Sequence, residues 1–135
     1  MNHIVKHIYF CFFLVLFSCS NANEQSKKKE KEVLVEISNG IFTEYYPGRK
    51  AIKFKGPQNE NGKRDGRWFF YDEDGQEMSM TEYVNGKKHG FTFVRFPSGN
   101  MRYTGEYTND TETGLWKFYD ENGKVTLEKN YDIEQ

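Results

Sequence analysis

The chain has 135 residues, with 19 basic and 20 acidic side chains and a formal net charge of −1. That balance provides no counter-charge for a phosphate backbone and excludes nucleic acid as a natural partner. The two cysteines, Cys11 and Cys19, both lie near the N-terminus, so the remainder has no thiol for a disulfide, a thiolate metal site or a nucleophile.

In chain order, His3, Lys6 and His7 form a short basic start, Ile8 to Phe17 is an unbroken apolar run, and Ser18 and Cys19 follow. The run is about half of the roughly 20 residues that a spanning helix needs, so it reads as an export signal over 1–18. LFSC at 16–19 resembles the lipobox of bacterial lipoproteins, which implies lipidation of Cys19 and attachment to a membrane through that lipid. The alternative is an ordinary cleaved signal with an incidental cysteine. Ser20 stands where an aspartate would mark inner-membrane retention, and by likeness to that sorting rule the expected address is the cell envelope, at the outer membrane. Residues 19–32 contain no large apolar side chain after the cysteine and predict a flexible tether. Glu30 and Glu32 interrupt Lys27, Lys28, Lys29 and Lys31, so this run reads as a solvated linker.

From Val33 to the end the chain predicts a single domain with a beat of 24 residues. Gly66, Gly90 and Gly114 each open a unit; Gly75, Gly99 and Gly123 follow nine residues on, and Tyr83, Tyr107 and Tyr131 seventeen on. A fixed period of this length marks stacked units that bury their apolar faces only against neighbours. NGKRDG at 61–66, NGKKHG at 85–90 and NDTETG at 109–114 are turn sequences, and DEDG at 72–75, PSG at 97–99 and DENG at 120–123 mark a second turn in each unit. Two turns and two aromatic or β-branched runs per beat read as one β-hairpin. The units fall at 66–89, 90–113 and 114–135, with a degenerate unit at about 40–65, where Gly40 to Gly66 spans 26 residues and no tryptophan is present.

GRWFFYDEDG at 66–75 and GLWKFYDENG at 114–123, with NGKxxG between copies, resemble the bacterial variant of the MORN repeat. The resemblance implies an all-β, single-layer antiparallel meander of repeated β-hairpins. Strand alternation then places Trp68, Phe70, Thr92, Val94, Trp116 and Phe118 on one face. Arg67, Phe69, Tyr71, Phe91, Phe93, Arg95, Leu115, Lys117 and Tyr119 fall on the other. One face is nearly all apolar and the other mixes aromatic with basic residues. Cross-strand aromatic pairs and the segment Val33 to Ile37 are expected to cover most of this surface. A shallow saddle is the candidate binding surface: Trp68 and Trp116 as walls about 19 Å apart, four strand spacings, with small Thr92 between them.

Catalytic chemistry finds little support. His89 is the only histidine outside the signal and sits in a turn sequence with no sequence partner. Asp72, Glu73, Asp74 and Glu77 recur in part as Asp120, Glu121 and Asn122 at an equivalent turn, so turn chemistry accounts for them better than a calcium loop. No enzyme, metal or cofactor is expected. Two functions remain: a lipid-anchored module that binds a protein, peptide or glycan in the envelope, or, because many chains with this repeat variant are described as YwqK-like antitoxins, an antitoxin or periplasmic immunity protein that neutralises a toxin. Open sheet edges invite self-association.

Overall fold

A computed structural model describes residues 32–132. The export signal, Cys19 and all of the expected tether except Glu32 lie outside them. Glu32 already touches the sheet, since its carboxylate accepts the Gly48 N–H at 2.9 and 3.1 Å.

Nine strands form the domain: β1 (Val35–Ser38), β2 (Ile41–Tyr45), β3 (Ile52–Pro57), β4 (Gly66–Tyr71), β5 (Glu77–Val84), β6 (Lys87–Arg95), β7 (Met101–Thr108), β8 (Thr111–Tyr119) and β9 (Val125–Asn130). Each pairs antiparallel with its sequence neighbours, so the sheet order is the chain order. The meander expected from the repeat is the fold observed.

Turn chemistry sets this order. Asn39-Gly40, Asn85-Gly86 and Asn109-Asp110 all have positive φ, between 51° and 88°, as two-residue hairpins of the right twist require. Asp110 replaces the glycine of this pair because aspartate tolerates the left-handed region better than most residues. At the opposite end of the sheet the Asp72 carboxylate accepts from the backbone N–H groups of Asp74 and Gln76, and Asp120 accepts from those of Asn122 and Lys124. Phe96 occupies the same place in the middle unit and has no such carboxylate. The additional length of the first unit is a small hairpin of its own, in which Gln58 pairs with Arg64 and Asn59 Oδ1 accepts from the Asn61 and Lys63 amides.

Register sorts the side chains into rows that run across the strands. One face carries Phe42, Gly56, Trp68, Thr81, Thr92, Gly105, Trp116 and Lys129 in one row. Beside it runs a second row of Phe54, Phe70, Ser79, Val94, Tyr103, Phe118 and Leu127. The opposite face carries Phe69, Met80 and Phe93 at its centre. Trp68, Met80, Phe93 and Trp116 are the buried apolar residues, so the core is split between the two faces of β4 to β8. A tryptophan buried in this way removes roughly 150–250 Å² from water, on the order of 4–6 kcal/mol before entropy.

The edges differ from expectation in one respect. Val33 to Ile37 does not fold over the aromatics; from Val35 it is the edge strand β1, with Val33 69% and Ile37 62% exposed. Its backbone gains more from pairing with β2, where Asn39-Gly40 turns the chain, than from lying unpaired on a face.

Candidate interaction face

Each tryptophan is seated on a glycine of the preceding strand. A Cβ at Gly56 would stand 2.5 Å from the Trp68 ring, and one at Gly105 would collide with the Trp116 ring. The indole N–H groups find backbone acceptors: Trp68 Nε1 donates to Pro57 O at 2.8 Å, and Trp116 Nε1 to Glu106 O and Thr113 O at 3.2 Å. Phe42 (5.3 Å between centroids) and Tyr83 (6.5 Å) flank Trp68. Tyr103, Tyr107, Phe118 and Tyr131 ring Trp116 at 5.2–6.3 Å.

This packing redraws the expected saddle. Trp68 is 5% exposed, Trp116 2% and Thr92 3%, so the indoles are packing rather than open walls and the floor between them is closed. Thr92 Oγ1 donates to Met80 O at 3.0 Å and therefore accepts from Thr81 Oγ1, 2.8 Å away. Phe70, Val94 and Phe118, the remaining candidates, are half-buried and still reach solvent. A cavity of about 60 Å³ lies between Phe54, Arg64, Trp68, Phe70, Thr81 and Tyr83.

The distribution of charge also departs from the sequence reading. Arg67, Arg95 and Lys117 do lie on the face opposite the tryptophans, but each is ion-paired, to Glu82 (2.9 Å), Glu77 (3.9 Å) and Glu128 (3.0 Å). On the tryptophan face Lys53 pairs with Glu44 at 3.0 Å, but three other cations sit over rings with no carboxylate partner among the described residues. Arg64 lies 4.3 Å from the Trp68 centroid and 5.2 Å from that of Tyr83, whose hydroxyl accepts from its Nη1 at 3.1 Å. Lys88 lies over Tyr107 at 4.6 Å and Lys129 over Tyr131 at 4.0 Å. Among the described residues none of these three has a carboxylate at ion-pair distance. Arg64 and Lys88 are themselves 24 residues apart, as are Thr81 and Gly105, so sequence periodicity held the signal that would have found them.

The opposite face exposes Phe91 (40%) and Leu115 (46%). Glu82 anchors its centre, accepting from Phe91 N and Arg67 Nε at 2.9 Å each. The Phe91 amide and then Arg67 hold this carboxyl below its usual range. At the Asp72 turn a wider depression of about 460 Å³ is lined by Lys50, Ile52, Lys55, Tyr71, Glu73 and Asp74 among others.

Burial pushes the Tyr46, Tyr71 and Tyr103 phenols up, so they stay neutral. His89 lies exposed in β6, and the Asp72 and Asp120 carboxylates are committed to their turns.

A family model described as the MORN repeat variant matches residues 64–85 and 112–132. Both spans hold a tryptophan unit with its tyrosine, and the unit with Thr92 lies outside them. No curated protein matches the chain.

Proposed function

We propose that the chain is a non-enzymatic interaction module, a repeat sheet that presents one aromatic, cation-bearing face to a protein, peptide or glycan and is held in the cell envelope by a lipid on Cys19. The observation that carries this reading is the set of cations, Arg64, Lys88 and Lys129, placed over aromatic rings with no carboxylate partner among the described residues. These cations are open to an acidic group of a partner, whereas Arg67, Arg95 and Lys117 on the opposite face already have carboxylate partners. Half-buried Phe70, Val94 and Phe118 supply apolar area beside them. A crosslinked pull-down from detergent-solubilised envelopes tests the module: recovery of a stoichiometric partner that is lost with Lys88→Glu supports it, and no enrichment over an unrelated lipoprotein defeats it. Mass spectrometry of the mature N-terminus tests the anchor, because an unmodified chain that starts elsewhere than Cys19 removes it.

A second reading, a YwqK-like antitoxin or an immunity protein acting in the periplasm, draws on the repeat likeness and on exposed Phe91 and Leu115, which suit a protein partner. An export signal fits immunity against an incoming toxin better than a cytoplasmic antitoxin. Protection of cells from one toxin, abolished together with complex formation, would select this reading over a general envelope module.

A further inference from the structure

The tryptophan face carries a second feature at the 24-residue period, and what it implies rests on the interaction-module reading above. Tyr83, Tyr107 and Tyr131 lie opposite Gly66, Gly90 and Gly114, so they form one row across the sheet. Lys88 pairs with Tyr83 and Glu112 with Tyr107 in the same row, and Arg64 leans over Tyr83. The row therefore alternates charged side chains with half-buried tyrosines. Equivalent positions of successive hairpins are two strand spacings apart, about 9.4–9.8 Å.

That distance discriminates between extended ligands. A polyproline II chain has three residues per turn at 3.1 Å each, so every third side chain returns to the same side after about 9.3 Å. Three residues of a β-strand cover about 10 Å, but alternation turns the third side chain away. Seven residues of an α-helix advance about 10.5 Å and drift out of step by roughly 1 Å at each rung. Only the first keeps both side and phase.

We infer that this row is a docking track for a polyproline II peptide with an acidic residue at every third position, its carboxylates taken by Arg64 and Lys88 and its prolines set against the tyrosines. Both cations are held in place by rings rather than by acids, so a ligand carboxylate displaces no existing ion pair. Such a peptide also arrives already extended and gives up little entropy on binding. Glu112 stands where Arg64 and Lys88 stand in the earlier units and repels a carboxylate there. The footprint is therefore centred on Tyr83 and Tyr107, with Lys129 over Tyr131 at its far end.

The test is fluorescence anisotropy with the full chain in detergent and labelled acetyl-(Glu-Pro-Pro)4-amide, with the (Glu-Gly-Gly)4 and (Lys-Pro-Pro)4 peptides as controls. The expected result is saturable binding at least tenfold tighter than to either control. Lys88→Glu and Lys88→Met, the latter keeping the aliphatic stem over Tyr107, should each weaken it at least fivefold with unchanged thermal melts. Binding within threefold of the glycine control, indifference to both Lys88 variants, or displacement by a uronic-acid hexasaccharide alone would overturn the inference. An envelope pull-down that still returns a partner would leave the interaction module standing in that event.

Discussion

The two tryptophan units and the unit between them solve one packing problem with opposite chemistry. At Trp68 and Trp116 an indole lies flat over a backbone stripped to glycine, Gly56 or Gly105. In the middle unit both partners change together: Thr92 replaces the tryptophan, Thr81 replaces the glycine, and a hydroxyl pair 2.8 Å apart fills the space. The lesson is that the repeat unit is a pair of positions eleven or twelve residues apart on adjacent strands, filled either by glycine under tryptophan or by two threonines.

The strongest way to break this contrast is to remove an indole. Trp116→Ala should cost about 3–5 kcal/mol, in the range for deleting a buried aromatic, and Trp68→Ala somewhat less because fewer rings surround it. Thr92→Ala should cost less than either. Urea unfolding checks all three, and equal losses at Trp116 and Thr92 would show that the units do not differ in kind.

Gly105→Ala attacks the same seat from below. Its added methyl meets the Trp116 ring, and overpacking of this type costs about 1–3 kcal/mol. Thr81→Gly adds no such clash, so a comparable loss there would have to come from backbone entropy and the lost hydroxyl pair. The contrast is sharpened by moving a tryptophan seat into the middle: Thr92→Trp alone should destabilise, while Thr81→Gly with Thr92→Trp should recover about 1–3 kcal/mol relative to the sum of the singles. Strict additivity in that double-mutant cycle would mean the positions are not a unit.

How much of this was legible beforehand follows from what each signal encodes. The hairpin order could be read because Asn-Gly turns and the glycine beat are local, and local backbone chemistry sets the register of a meander. The faces of Trp68, Phe70, Trp116 and Phe118 could be read because alternation has a fixed period. Burial of Trp68 and Trp116 could not, since alternation says which way a side chain points but not that its ring folds down onto a glycine one strand away. The period marks Arg64 together with Lys88, but not the ring it covers, because Arg64 precedes β4 in a connection that makes its own small hairpin, where alternation no longer holds. Strand β1 was harder to place because Val35-Glu36-Ile37-Ser38 alternates for only four residues, too short a run to tell an edge strand from a covering segment.

Smaller effects belong to the turns. Asp72→Ala and Asp120→Ala each remove the carboxylate that accepts from two backbone N–H groups in an exposed turn and should cost about 1 kcal/mol. Phe96, which lacks that carboxylate, provides the internal control. Phe96→Ala should instead be felt through its contact with Arg102, 5.9 Å from the ring. Thermal melts at neutral pH separate the cases.

The smallest effect separates the units by pH. With no indole, the middle hairpin is joined across β5 and β6 by polar contacts: the threonine pair and the Glu82 carboxylate on Phe91 N and Arg67. Because the folded state holds the Glu82 carboxyl below its ordinary value of 4.5, the unfolded chain takes up that proton first as pH falls. Its stabilisation, about 1 kcal/mol from charge-assisted hydrogen bonds partly open to water, is complete above the unfolded value and is lost as pH drops through the folded one. The Trp116 indole donates only to backbone carbonyls, so its seat should not respond, and the Gly114 amide of β8, which Asp132 holds, is left out of the comparison. Amide exchange in β5 and β6 should therefore accelerate on acidification relative to that in β8, and Glu82→Gln should remove most of the difference. If β8 opened in step with β5 and β6, the sheet would respond as one cooperative body, and the contrast between tryptophan and threonine units would be confined to packing.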